Sequence, residues 1–111
     1  MLIYKIFRIE EWAELDAEGE TLGAPVDLAD GFIHFSTAEQ VAETAAKHFA
    51  GVDGLFLAKL ESDTFGDDLK WEPSRGGALF PHLYRALKRH EVISVDPMLL
   101  GPHGHDLPGL P

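Results

Sequence analysis

Side chains that could do chemistry are concentrated in three short stretches of this sequence. The first is DGFIHFSTAEQV, residues 30–41, where His34, Ser36 and Thr37 fall between an apolar run and a helical pattern. A strand that leads into a helix N-terminus places its last side chains beside free backbone N–H groups, which favour anions such as phosphate. We therefore expect these three residues near a ligand, unless His34 is packed inertly in the strand and Ser36 serves only as the helix cap.

The second stretch is WEPSRGG. Its chemically useful members are Trp71, Glu72, Arg75, Gly76 and Gly77. The arginine can form paired hydrogen bonds with phosphate or carboxylate. The two glycines let a ligand approach the backbone, and the tryptophan can stack on a planar ring. The alternative is a surface loop that contains an Arg–Glu pair and a core tryptophan.

The third stretch is FPHLY, residues 80–84. If this segment is extended, Phe80, His82 and Tyr84 share one side, because alternate residues of a strand face the same way. A histidine and a tyrosine side by side could supply a proton donor and a platform for a ring.

The sequence predicts no metal site. Two histidines flank a glycine in HGH, residues 103–105, but they lie in a Gly/Pro-rich tail. Zinc needs three or four convergent ligands, and no further ligand accompanies this pair at a recognisable spacing. Phosphate-loop, dinucleotide-binding and GxSxG nucleophile motifs are also missing.

The hydrophobic pattern predicts the elements that carry these residues. Strands are expected at 2–7, 31–36, 54–61, 69–72 and 91–100, and helices at about 8–19 and 37–50. The remaining segments, 20–30, 62–68 and 73–77, have the composition of loops and turns. Residues 78–87 are ambiguous, since Pro81 indicates an edge strand or an irregular extended segment.

The second predicted helix has the clearest signals. A single apolar stripe runs from Ala38 to Phe49 at helical spacing. Ser36 followed by Glu39 has the spacing of a capping box, and Gly51 offers a stop.

The order of elements, β-α-β-α-β-β-β-β, favours an α+β fold with a mixed sheet and two main helices. We expect one domain over residues 1–100 and a loose tail over 101–111. The chain has 111 residues, which is the usual size of one domain.

Composition excludes several classes of partner. Nine basic residues stand against nineteen acidic ones, and the net charge of -10 works against DNA, RNA and anionic lipid as partners. The sequence has no cysteine, no apolar run of membrane-spanning length and no signal-peptide pattern. A cytoplasmic location is expected.

Several segments together resemble one family: IYKI, DGFIHFSTAEQV, LKWEPSRGGALFPHLY and VISV. They are similar to a group of small bacterial proteins, the domain of unknown function (DUF) 952 family, over about residues 2–98. That family is similar in fold to the ADP-ribosyltransferases, which include the RNA 2'-phosphotransferases. The resemblance implies a split β-sheet with flanking helices around a cleft for NAD.

Residue roles follow from this resemblance by position. Lys5 stands on the first strand, where many relatives carry histidine. His34 and Glu72 are the implied catalytic pair, with Glu72 as the late acidic residue that stabilises an oxocarbenium-like transition state. Arg75 or His82 could replace that acid.

The resemblance leaves three readings open. The first is an enzyme-like site that binds NAD or a related nucleotide, with or without transfer of ADP-ribose. The second is a non-enzymatic module that binds a small ligand or a protein with the same fold. The third is a stable domain whose polar pairs only support the fold.

Overall fold

A computed structural model describes residues 1–108 and 110, with Arg75 described through its backbone only. The strands are β1 (Leu2–Arg8), β2 (Glu20–Thr21), β3 (Ile33–His34), β4 (Ser36–Thr37), β5 (Leu55–Glu61), β6 (Leu69–Pro73), β7 (Leu79–Leu83), β8 (Leu87–Lys88), β9 (Ser94–Met98), β10 (Leu100–Gly101) and β11 (Gly104–His105). The helices are α1 (Ile9–Glu18), α2 (Pro25–Asp30) and α3 (Val41–His48). Short 3₁₀ segments cover Ser62–Asp68, Arg75–Gly77 and Arg89–Glu91.

The strands form two main sheets, one with the order β4-β1-β5-β9 and one with the order β3-β7-β6. Two small ribbons, β2-β8 and β10-β11, complete the structure. The predicted α+β class is confirmed. Every pairing among the described residues is antiparallel, so the expected mixed sheet is wrong. The two main helices expected are α1 and α3, and the short helix α2 was not predicted.

Strand β1 contributes to two separate hydrophobic cores. Ile3 and Phe7 pack with the residues between the two main sheets, whereas Tyr4 and Ile6 pack with α3 on the opposite face. This division follows from the alternation of side chains along a strand. By the same alternation Lys5 lies on the face of Ile3 and Phe7, and it is 7% exposed.

The two sheets separate at Phe35. Strand β3 ends at His34 and pairs with β7, and β4 begins at Ser36 and pairs with β1. Strand β5 pairs with all of β1, but β4 pairs with it only at Ile3 and Tyr4. The β4-side edge of β1 is therefore open beyond Tyr4, and this opening becomes important for the site.

Several predicted elements are confirmed, with shifts of one to three residues at their ends. They include β1, α1, β5, β6 and β9. Helix α1 ends where the glycine indicated, since Gly19 has φ 79° and its N–H donates to the carbonyl of Leu15.

The predicted helix at 37–50 begins later than expected. Its first residue is Val41, and the side-chain oxygen of Gln40 accepts a hydrogen bond from the N–H of Thr37. Ser36 does not cap the helix, because its hydroxyl bonds to the Thr44 hydroxyl at 2.9 Å. The capping prediction is wrong because Ser36 is held in β4, too far upstream of the first helical turn.

The predicted loop at 20–30 contains both β2 and α2. The short helix has signals that the loop assignment overlooked: Pro25 at its first turn and Gly31 at its end, with φ 84°. Its brevity explains the error, because a six-residue helix shows no apolar periodicity.

Pro81 lies in the central strand of the smaller sheet, so the edge prediction is wrong. In an antiparallel strand the N and C=O of one residue point to the same neighbour. The Pro81 carbonyl accepts from the N–H of Phe35, just after the end of β3. The backbone nitrogen of Pro81, which carries no hydrogen, therefore faces that same side, where β3 has already ended. No ladder bond is lost to β6.

The described part of the tail packs on the domain instead of lying loose. Strands β10 and β11 form a hairpin, and His105 Nε2 lies 2.7 Å from the carbonyl oxygen of Val52. Leu107 and Leu110 pack against the α3 core. Among the described residues, no helix is long and apolar enough to cross a membrane.

Replacing Gly19 by alanine tests the left-handed end of α1. The positive φ of 79° strains any side chain, although the space around the missing Cβ is open. We expect Gly19→Ala to lower the free energy of unfolding by about 1 kcal/mol in urea titrations. Gly101→Ala is the control, because its Cβ would make an ordinary 3.6 Å contact. Equal effects of the two changes would contradict the assignment.

Candidate functional site

A cavity of about 660 Å³ opens where the two sheets separate, beside the open edge of β1. Its walls come from β1, the starts of α1 and α2, the β3–β4 junction, the second half of α3, and β7. The lining residues are Tyr4, Lys5, Ile6, Arg8, Glu10, Glu11, Ala24, Pro25, Val26, His34, Phe35, Ser36, Thr44, His48, Phe49, Ser74, Phe80 and His82. This volume is within the range of small-molecule and cofactor sites.

The carboxylate of Asp27 connects three of these walls. Its Oδ2 accepts from Lys5 Nζ at 2.9 Å and from the N–H of Ala24 at 2.7 Å. Its Oδ1 accepts from the N–H of His34 at 3.0 Å and from His34 Nδ1 at 2.6 Å. A carboxylate has about four acceptor positions, and all four are filled. Asp27 therefore joins α2 to both β1 and β3.

Burial and pairing act in opposite directions on Asp27, whose side chain is fully buried. Burial raises the pKa of the carboxyl group, but the hydrogen bonds from His34 and the charge of Lys5 lower it more, to about 2. The group is therefore ionised at neutral pH, and it can only accept hydrogen bonds. The Nδ1 atom of His34 must then carry the proton between them.

The close packing around Asp27 explains why residue 23 is a glycine. Gly23 has φ 101°, and a Cβ there would lie 2.2 Å from Asp27 Oδ2. Only glycine permits this approach, because the collision involves an atom that is fixed by its own hydrogen bonds.

A second carboxylate, Glu72 on β6, holds the neighbouring histidine. Its Oε1 lies 2.8 Å from His82 Nδ1 and accepts from the Tyr84 hydroxyl at 2.6 Å. The hydrogen bond from Tyr84 and that from His82 lower the pKa of Glu72. The same contact with Glu72 raises the pKa of Tyr84. Glu72 is about a third exposed, whereas the His82 side chain is 4% exposed.

The two histidines are neighbours across the smaller sheet. His34 and His82 are paired in the register of β3 and β7, and their rings meet edge to face with centroids 5.2 Å apart. Phe32 stacks on His82 at 4.2 Å and also contacts His34 and Tyr84. This packing limits the rotation of both imidazoles.

Two buried polar atoms have no hydrogen-bond partner among the described residues: the Tyr4 hydroxyl and His82 Nε2. Both residues line the cavity. Leaving a buried donor or acceptor unpaired costs about 1–3 kcal/mol, so native structures usually avoid it. Two of the side chains that line the cavity therefore carry a buried polar atom whose hydrogen bond is unmade.

The structure brings together part of the predicted site. Three of its residues line the cavity: His34, Ser36 and His82. Glu72 and Tyr84 do not line it, but they hold His82 from the other side. Of the three residues expected on one strand side, Phe80 and His82 both line the cavity, whereas Tyr84 lies just past the end of β7 and meets His82 through Glu72.

Other predicted site residues lie elsewhere. None of the following is part of the cavity wall: Thr37, Trp71, Gly76 and Gly77. The side chain of Trp71 is exposed on β6, and the Arg75 side chain lies outside what the structure describes. The N-terminus of α3, expected to hold phosphate, begins only at Val41, and its first residues, 41–43, are not part of the cavity wall.

Sequence reasoning missed Tyr4, which lines the cavity, and Asp27, which joins three of its walls. Tyr4 appeared to be an ordinary strand aromatic, because nothing in the sequence shows that β4 leaves that edge open. Asp27 fell in a presumed loop. A signal for it existed, since an acidic residue three positions after a helix start, with proline in the first turn, is typical of helix capping.

No group of three or more His, Cys, Asp or Glu side chains in the described part of the chain is placed to hold a metal ion.

The chain belongs to the family described as "Protein of unknown function (DUF952)", whose model matches residues 6–95. The predicted family membership is confirmed. Protein CC0527 from Caulobacter crescentus is similar in sequence and structure. Its crystal structure is 51% identical, with a TM-score of 0.90, and the match covers 95% of this chain and 92% of CC0527. Its solution NMR structure is 52% identical, with a TM-score of 0.84 over 94% and 90% of the chains. Comparison with curated proteins gave no match.

Replacing Asp27 by asparagine tests its role in joining the walls. The change leaves Lys5 without its buried partner, and breaking a buried ion pair costs about 3–5 kcal/mol. We expect Asp27→Asn to lower the free energy of unfolding by that amount in urea titrations. Asp30→Asn is the matched control, because Asp30 is 46% exposed and lies 3.0 Å from His34 Nε2. A loss below about 1 kcal/mol for Asp27→Asn would show that the four contacts are not essential.

The pKa of Asp27 also predicts an acid dependence. A carboxyl with a pKa lowered from 3.8 to about 2 stabilises the fold above its unfolded pKa and loses this contribution as pH falls through about 2. We expect the stability difference between the native protein and Asp27→Asn to shrink by roughly 2 kcal/mol between pH 5 and pH 2. Urea titrations at several pH values measure it. A difference that stays constant with pH would contradict the lowered pKa.

Proposed function

We propose that this protein binds a small molecule of nucleotide size in the cavity between its two sheets, with NAD or a related nucleotide as the leading candidate. The ADP-ribosylation-like fold that the family resemblance implies is part of the same proposal. The observation that carries it is that two side chains lining the cavity each have a buried polar atom without a partner among the described residues, Tyr4 OH and His82 Nε2.

The composition of the walls supports a ligand that contains a ring. Three phenylalanines from different parts of the chain line the cavity together with Tyr4: Phe35 between β3 and β4, Phe49 just after α3, and Phe80 on β7. Polar side chains from several different walls also line the cavity, and such groups can fix the orientation of a ligand. Ser36 and Thr44 also line the cavity, with their hydroxyls bonded to each other.

Roles within the proposed site differ from those expected by resemblance. His34 is held by Asp27, and Lys5 gives one of its three N–H donors to the same carboxylate. Glu72 acts through His82, which it orients, because Glu72 itself is not on the cavity wall. His82 is therefore the side chain that we propose to meet the ligand directly.

Binding without turnover is the second candidate, and the Asp27 contacts favour it. Lys5 and His34 stand at the first-strand and second-strand positions of the fold. Both form hydrogen bonds with Asp27 that support the structure. A non-enzymatic module that retains this fold needs only the cavity. Release of nicotinamide from NAD, followed by chromatography, separates this candidate from an enzyme.

Replacing Tyr4 by phenylalanine should have opposite effects on the stability of the free protein and on its affinity for NAD. The change removes a buried hydroxyl that has no partner, so we expect the free protein to gain up to about 1 kcal/mol of stability. The same change removes a ligand contact, so we expect NAD to bind roughly 10-fold more weakly. Thermal unfolding and isothermal titration calorimetry measure the two effects.

The control for this experiment is Phe56→Leu on β5, a half-buried aromatic change outside the cavity wall. Titrations with NAD, ADP-ribose and ADP on the unchanged protein decide the ligand class. If none of the three binds at millimolar concentration, the nucleotide proposal fails. If Tyr4→Phe lowers stability instead of raising it, the Tyr4 hydroxyl already has a partner within the protein. The hydroxyl then does not support the ligand proposal.

A further inference from the structure

We infer that His82 makes the inner part of the cavity selective for an uncharged group that donates an N–H or O–H, such as a carboxamide, and against a carboxylate. This inference deepens the proposed function, since it names the chemistry of the ligand group that the same cavity accepts. It is carried by the contact between Glu72 and His82, and by the carboxylates that stand behind the two histidines.

The first step is the tautomer of His82. Glu72 is ionised at neutral pH, because its contacts with Tyr84 and His82 favour the charged form. A carboxylate only accepts hydrogen bonds, so the proton between the two groups belongs to His82 Nδ1. In the neutral imidazole the other nitrogen, Nε2, then carries a lone pair and must accept. A ligand has to present a donor to it.

Three carboxylates lie behind the imidazole rings of His34 and His82. Asp27 lies 2.6 Å from one nitrogen of His34 and Asp30 lies 3.0 Å from the other, and Glu72 lies 2.8 Å from His82. Two cationic side chains, Lys5 and Arg8, also line the cavity. Lys5 is paired with Asp27, and Arg8 lies 3.9 Å from Glu11. A carboxylate on the ligand would bring negative charge toward these three acids and would place one lone pair against another.

The Tyr4 hydroxyl is the second polar atom without a partner among the described residues. Burial raises the pKa of Tyr4, so its hydroxyl stays protonated and can donate to a ligand oxygen. A carboxamide carries both a carbonyl to accept from Tyr4 and an N–H to donate to His82. A carboxylate can satisfy only the first of these two groups, which leaves the buried His82 Nε2 unpaired at a cost.

The experiment uses benzamide and benzoate, two fragments of the same shape that differ in charge and in the N–H donor. NMR titration of the full-length protein measures the binding of each. Long-range ¹H–¹⁵N spectra of the imidazoles report the tautomer of His82 and any new hydrogen bond at its Nε2. We expect an Nδ1–H tautomer, and benzamide binding at least about tenfold tighter than benzoate.

A change outside the cavity then tests the cause of this preference. Glu72→Gln offers an amide that can donate to His82 Nδ1, which allows Nε2 to carry the proton and become a donor. We expect the preference for benzamide to fall below about threefold or to reverse, with the tautomer change visible in the ¹⁵N spectrum. Glu20→Gln is the matched control, the same chemical change on an exposed residue of β2, and should leave the preference intact.

The outcomes separate this inference from the proposed function. If NAD fails to bind but benzamide is preferred and Glu72→Gln removes the preference, the nucleotide proposal fails and the selectivity stands. If benzoate binds as tightly as benzamide, or if neither fragment shifts the His82 signals, the inference is overturned. A preference that survives in Glu72→Gln despite the changed tautomer also overturns it.

Discussion

The structure depends on one buried carboxylate that is completely saturated with hydrogen bonds. Asp27 takes donors from the first strand, from its own short helix and from the strand that carries His34. A buried charge is tolerated only when it is paired, and here the pairing is also what assembles the cavity. Lys5 supplies the opposite charge from the open edge of β1. Without it, α2 would have little to attach it, because the exposed Val26 and Leu28 give that helix few buried apolar contacts.

The second carboxylate works differently. Glu72 is partly exposed and supports no wall, but it fixes which nitrogen of His82 carries a proton. Asp27 thus holds the walls of the cavity together, and Glu72 determines which nitrogen of His82 donates and which accepts. Phe32 joins the two halves by packing on both histidines. The side chains that could recognise a ligand are therefore held from behind, and they need not move far when it binds.

The sequence predicted the regular elements with strong periodicity and the residues that share one strand face. His34, His82 and Tyr84 were found through local patterns: alternation along a strand and the types of neighbouring residues. Tyr4 and Asp27 could not be found in this way, because their importance depends on pairing between distant segments. The late start of α3 and the central position of Pro81 were missed for the same reason. In both cases a neighbouring strand or turn overrides what the local sequence favours.

Strand β1 has a consequence for how the molecule unfolds. It supplies Ile3 and Phe7 to one core and Tyr4 and Ile6 to the other, so neither core can be lost while the other stays whole. A small protein built in this way should melt as a single cooperative unit. The site lies along this shared strand, and any evolutionary change that tunes the pocket on β1 is therefore constrained by the stability of both halves of the domain.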